Sequence, residues 1–191
     1  LNTNLDLDIT EFVTVNFEAV KEIVNDLGGV TITVTDAEAT QISGINEAGT
    51  YMLNGDQALA YSRIRKIDTD YKRTERMRTV VEAMLSKAKT LNVGQLNSFA
   101  DTILPKIRTN ISTSEIWGLI PKLASFKVTE SIGWPYDTKG ITLDRWYGVP
   151  VTLQSNVERL HKEAFEQEDY EASDTVKEMS AAIVKKTGYS K

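Results

Sequence analysis

The chain has 191 residues, 41% of them hydrophobic and 26% charged, with a formal net charge of −5. At this length about 70% of the unfolded surface can be buried, so one domain with a real core is the natural expectation. It has no cysteine, which excludes disulfides, thiolate metal sites and a cysteine nucleophile and leaves the compartment open. No apolar run approaches the roughly 20 residues needed to span a bilayer. The chain opens on Leu1 without a signal peptide or an initiator methionine, which predicts an excised piece of a longer protein.

Phe12 to Phe17 alternates and is rich in β-branched residues, which predicts a strand. A helix from about Glu18 to Leu27 follows, stopped by Gly28-Gly29. Val30-Thr31-Ile32-Thr33-Val34 then places Val30, Ile32 and Val34 on one face of a second strand. Strand, helix and strand at this spacing predict an α/β or mixed α+β protein. The expected form is a central mixed sheet with helices on both faces, three layers in all. Ala48 to Gly55 reads as a short extended piece and a turn, and Asp56 as the cap of a brief helix over Gln57 to Ala60.

The stretch from Arg63 to Arg78 is a basic island: seven Lys or Arg and three Asp or Glu give it +4, leaving −9 elsewhere. If Arg63-Ile64-Arg65 is extended, both guanidinium groups leave on one face. In a helix beginning near Tyr71, the stripe Met77, Val80, Val81, Met84, Leu85 and Ala88 faces a core, and Arg73 and Arg76 fall on the same side. Cations at a helix N-terminus oppose its dipole and call for an anion, and guanidinium forks suit phosphate oxygens. Arg63, Arg65, Arg73 and Arg76 are therefore candidate anion ligands. The competing reading pairs inward arginines with nearby carboxylates, for which Asp68 and Asp70 are placed.

Further helices are expected near Leu96 to Ile107 and from Ser114 to Ala124, the latter capped by Ser112 or Thr113. Lys127 to Trp134 reads as a strand before Pro135, and Arg145 to Val151 as an edge segment. A helix from Leu153 to Phe165, a polar linker over Gln167 to Ser173 and a last helix from Asp174 to Lys186 complete the chain. His161, the one histidine, reads as a solvated helix residue. Trp117, Trp134 and Trp146 read as core or loop anchors rather than sugar platforms.

Three blocks in order, Gly28-Gly29-Val30, Leu53 to Arg65 and Asp70 to Arg76, resemble the LytR-CpsA-Psr family, most closely between about Phe12 and Leu91. The resemblance implies an extracytoplasmic domain held at the membrane by an N-terminal anchor. Its implied activity is phosphotransfer of a glycopolymer, of teichoic acid or capsule type, from a polyprenyl-pyrophosphate carrier to a peptidoglycan hydroxyl. By the same resemblance Arg63 and Arg65 match the pair that grips the pyrophosphate. Asp70 and Arg73 match the acidic and basic site residues that follow, with orientation the favoured role for Asp70. Met77 stands where many members carry glutamine, and with Val81 is expected to wall a lipid cavity. The family domain begins before Leu1, so Mg²⁺ is expected to be held by ligands outside this chain. Residues 1–166 correspond to the C-terminal portion of the domain, truncated on its N-terminal side, and 167–191 to a linker and helix. A sheet deprived of its N-terminal strands exposes an unpaired edge and apolar surface, which predicts a homodimer or domain swapping. Pyrophosphate binding or hydrolysis at the same site is the alternative. Nucleic-acid binding is disfavoured by the acidic net charge and the lack of a helix-turn-helix pattern.

Overall fold

A computed structural model describes residues 1–126, 128 and 133–190. In chain order the elements are α1 (Asn2–Leu5), β1 (Val13–Thr14), α2 (Phe17–Asp26), β2 (Val30–Val34), α3 (Asp36–Ala39), β3 (Gly49–Leu53), α4 (Gly55–Ser62), α5 (Asp70–Ala88) and α6 (Val93–Ile103). A 3₁₀ turn (Leu104–Lys106), β4 (Arg108–Thr109), α7 (Thr113–Leu119) and a second 3₁₀ stretch (Ile120–Ser125) follow. The last elements are β5 (Thr138–Thr142), β6 (Trp146–Pro150), α8 (Leu153–Phe165) and α9 (Asp174–Thr187). They fall into two compact units, one of Glu11–Ser131 and one of Leu1–Thr10 with Ile132–Lys191.

The mixture of helix and strand is as expected, but the single central mixed sheet is not what the described residues form. They make three separate two-stranded antiparallel ladders, β1 with β4, β2 with β3 and β5 with β6. Two local causes are visible. Asn16 Oδ1 accepts from Ala19 N at 2.7 Å and so starts α2 at Phe17, cutting the expected Phe12–Phe17 strand to two residues. The chain after β2 turns back through α3, so β3 pairs with β2 as Val30↔Leu53, Ile32↔Tyr51 and Val34↔Gly49. The inward face of β2, Val30, Ile32 and Val34, is then buried with Leu53, Ala58, Tyr61, Ile64 and Val80. A neighbouring cluster of Ile23, Leu27, Ala88 and Leu96 joins α2, α5 and α6.

Helix α4 is capped by Asn54 rather than Asp56, in a reciprocal box with Gln57. Gly55 is its first residue because α2 passes against it. A Cβ there would lie 2.2 Å from Lys21 O, and Gly55 N donates to Asn25 Oδ1 at 2.8 Å. The two helices run antiparallel, with Gly55 near the end of α2 and Arg63 beside its start.

In the second unit, Leu5, Leu153, Val157, Leu160, Ala172 and Val176 form a core that includes the last helix. The β5–β6 hairpin lies where a single edge segment is expected. His161 is buried, not solvated: Nε2 lies 2.8 Å from Leu5 O, Nδ1 lies 2.6 Å from Gln167 Oε1, and the ring stacks on Tyr170 at 3.7 Å. Asp6, in the left-handed region at φ 49°, accepts from Tyr170 Oη and from the backbone and hydroxyl of Ser173. Of the tryptophans expected as core or loop anchors, Trp134 packs against this core, whereas Trp146 is 62% exposed. The expected strand from Lys127 to Trp134 falls mostly outside the described residues.

Candidate functional site

The basic island forms one open cleft of about 440 Å³, lined by Phe17, Ser62, Arg63, Arg65, Arg73 and Met77. Three elements supply it: the start of α2, the end of α4 with the segment after it, and the first two turns of α5. Arg63 and Arg65 are not on an extended strand. Arg63 caps α4 with φ −105° and ψ 2°, and Ile64 N bonds Tyr61 O, so Ile64 turns inward to the core while both arginines remain outside. Thr69 caps α5, which begins at Asp70. Arg73 and Met77 then stand one turn apart on the same face.

Asp70 is the acidic group at the rim. Its carboxylate is 3.4 Å from Arg73 Nη1 and 3.9 Å from Arg65 Nε, and it is 74% exposed, so each pair is weak and open to displacement by an anion. Arg63 forms no ion pair among the described residues; its guanidinium carbon lies 4.8 Å from the centre of the Phe17 ring. Arg73 Nε is buried and has no hydrogen-bond partner among the described residues. A buried donor left unmade costs about 1–3 kcal/mol, so a bound acceptor here would be favoured.

Arg76 departs from expectation. It is 4% exposed and fully committed within the protein. Nε donates to Glu38 Oε1 at 2.6 Å, Nη1 to Ile64 O at 3.2 Å and to Asp68 Oδ1 at 3.1 Å, and Nη2 to Asp68 Oδ2. Glu38 lies in α3 and reaches it because its capping box with Thr35 fixes the carboxylate. Burial pushes the Glu38 pKa up, but the hydrogen bonds from Arg76 and Thr35 outweigh it and hold the carboxyl below its ordinary range. The carboxylate-partner reading therefore describes Arg76, and the anion reading is left with Arg63, Arg65 and Arg73. Arg76 holds the segment that presents them, through Ile64 and Asp68.

Val81 is 63% exposed and Met77 45% exposed, so the apolar stripe of α5 is buried along Val80 and Ala88 and open along Met77 and Val81. Phe17 is the site residue that the sequence places at a strand end without a role; the signal for it is Asn16, a capping residue just before it. Two other hollows are larger, about 590 Å³ beside α6 and about 520 Å³ between α8 and α9. The first is lined by hydroxyls already spent on backbone carbonyls, Ser98 on Gly94 and Thr102 on Ser98, and neither gathers arginines. Among the described residues no three His, Cys, Asp or Glu side chains converge on a point where a metal ion could sit.

Fold and cleft together define a mixed α+β protein with three guanidinium groups around an open cavity. The model described as the LytR_cpsA_psr family matches residues 1–166, and the chain belongs to that family. Among curated relatives it is 34% identical over 148 residues to the polyisoprenyl-teichoic acid–peptidoglycan teichoic acid transferase TagT of Bacillus subtilis (strain 168), covering 72% of this chain and 46% of that protein. The chain thus spans about half the length of that relative. A solved structure of TagT bound to LIIa-WTA superposes with a TM-score of 0.69 at 30% identity, over 86% of this chain and 64% of that one. A transcriptional regulator from Enterococcus faecalis shares the fold, with a TM-score of 0.74 at 23% identity over 99% of this chain and 70% of its own.

Proposed function

We propose that this chain carries the pyrophosphate-gripping part of a cell-wall glycopolymer phosphotransferase. The substrate is a polyprenyl-pyrophosphate-linked glycan of teichoic acid or capsule type, and the acceptor is a peptidoglycan hydroxyl. The observation that carries this reading is the convergence of Arg63, Arg65 and Arg73 on one cleft, with a buried Arg73 Nε that no group among the described residues satisfies. Sequence kinship to TagT, whose name states such a transfer, points the same way.

In this scheme the acceptor oxygen attacks the phosphorus that bears the glycan. A new P–O bond forms as the bond to the bridging oxygen breaks, and prenyl phosphate leaves with that electron pair while the hydroxyl proton passes to solvent. Charge builds on the bridging and equatorial oxygens, where Arg63, Arg65 and Arg73 stabilise it. Asp70 orients Arg65 and Arg73, and Met77 and Val81 line the path of the first prenyl units. Residues 1–166 form the family's part of this machine and 167–191 an extension of it.

Mg²⁺ does not fit the residues present. Among the described residues Asp70 is the carboxylate that pairs with the cleft arginines, and it stands between two guanidinium groups, a setting that suits an anion rather than a cation. The protein works outside the cytoplasmic membrane, where carrier and acceptor meet. No described helix is long and apolar enough to cross a membrane.

Calorimetric titration with a short prenyl pyrophosphate tests the site, using the chain and its Arg63→Ala/Arg65→Ala variant with prenyl monophosphate and DNA as controls. Binding that prefers the diphosphate and falls more than tenfold in the variant is expected. Equal binding by the variant, or a preference for DNA, overturns the reading.

A further inference from the structure

We propose that Phe17 is a positioning residue of this cleft, its ring face holding the Arg63 guanidinium ready for phosphate. The inference rests on the pyrophosphate reading of the cleft and adds to it the device that sets one of its three cations.

The three arginines are held differently. Arg65 and Arg73 share Asp70, whereas Arg63 has no ion pair among the described residues and sits over the Phe17 ring at 4.8 Å. The difference has a chemical consequence. A carboxylate partner occupies guanidinium N–H groups and cancels the charge, so an incoming phosphate must displace it. An aromatic face attracts the cation through its quadrupole and leaves the N–H donors at the guanidinium edge free. Arg63 is thus held in place with its charge uncancelled.

Phe17 itself lacks a packing explanation. It is 54% exposed, at the first position of α2 rather than in the core. Its place is nonetheless tightly set. The Asn16 cap fixes the start of the helix, and the close approach of Gly55 to Lys21 fixes the spacing of α2 from α4, the helix that ends at Arg63. Ring and cation are therefore carried by two helices locked backbone to backbone, which is the rigidity that a preorganised electrostatic site needs.

The test measures affinity for inorganic pyrophosphate and for geranyl pyrophosphate in the wild-type chain, Phe17→Leu, Phe17→Trp, Arg63→Ala and the Phe17→Leu/Arg63→Ala double variant. Leucine keeps an apolar side chain and removes the ring face. Phe17→Leu should weaken both ligands roughly two- to fivefold, Phe17→Trp should match or exceed wild type, and Phe17→Leu should have no further effect once Arg63 is alanine. Equal losses in both backgrounds, or a loss confined to the prenylated ligand, would make Phe17 a lipid wall and overturn the proposal. Failure of the wild-type chain to bind either ligand would overturn the pyrophosphate reading instead. The positioning role has its own readout in that event: the Arg63 Nε–H resonance of the free protein should be ordered in wild type and Phe17→Trp and averaged in Phe17→Leu. An unchanged resonance in Phe17→Leu overturns it.

Discussion

The Arg76 guanidinium donates to the Glu38 carboxylate at 2.6 Å, joining residues 38 positions apart, while its far end grips Asp68 in the segment that carries the cleft arginines. Removing one side of such a group strands buried charge. Arg76→Met should lower unfolding free energy by about 3–5 kcal/mol, read from urea denaturation. It should also weaken pyrophosphate binding without touching the ligand, because Ile64 and Asp68 lose their anchor. A loss below about 1 kcal/mol would show that Glu38 and Asp68 find other partners.

The same pair sets an acid limit. Glu38 has a folded pKa below its ordinary 4.5, because the Arg76 and Thr35 hydrogen bonds outweigh burial. Its contribution is therefore full above about pH 4.5 and is lost as pH falls through the folded value. Stability against urea should decline below pH 4.5 in wild type and decline less steeply in Glu38→Gln. Parallel slopes in the two proteins would assign the acid sensitivity elsewhere.

Gly55→Ala forces a Cβ to 2.2 Å from Lys21 O and 2.8 Å from Lys21 Cα, backbone atoms that cannot rotate away. The cost should reach about 3 kcal/mol, the upper range for overpacking. Gly118→Ala is the control. That glycine lies in α7, and a methyl group added to it would meet nothing within 4 Å, so alanine should be neutral or stabilise by about 0.5–1 kcal/mol. Similar melting temperatures for the two variants would refute the close approach.

Asp6 ties the start of the chain to Tyr170 and Ser173. Burial raises its pKa, yet the bonds from Tyr170 and Ser173 lower it further, so the carboxylate is charged at neutral pH. Asn tolerates the left-handed backbone at this position, so Asp6→Asn isolates the loss of charge. A cost of about 1–3 kcal/mol is expected, together with faster proteolysis within residues 1–10. Unchanged protection of that segment would mean that the Leu5 contact alone holds it.

Self-association is the last expectation. Val13, Met52 and Val81 are each more than half exposed, and among the described residues nothing pairs with the outer edges of the β2–β3 ladder. Sedimentation equilibrium should show an average mass rising above 21.3 kDa with concentration. A constant monomer mass from micromolar to high micromolar protein would end the idea.

Elements governed by neighbouring residues were legible in the sequence. The Val30–Val34 strand and the Leu153–Phe165 helix match residue for residue, because alternation, caps and apolar spacing are local signals. The arginine cluster was legible as a charge anomaly. What escaped depends on distant partners. His161 is buried by Leu5, 156 residues away, and Arg76 is claimed by Glu38, 38 residues away, as well as by Asp68, so the flanking sequence showed only the Asp68 half of the Arg76 environment. The β5–β6 hairpin escaped for a different reason: its turn, Leu143-Asp144-Arg145, has none of the glycine or asparagine that marks a tight reversal.

Arg73, Met77 and Val81 follow one another at every fourth position along α5 and pass from cation to apolar surface. At 1.5 Å per residue they span about 12 Å. On the proposed reading, one helix then inspects the junction between headgroup and hydrocarbon and nothing further along the tail. Such a gauge recognises that a lipid is prenylated and pyrophosphorylated, and treats carriers of different total length alike.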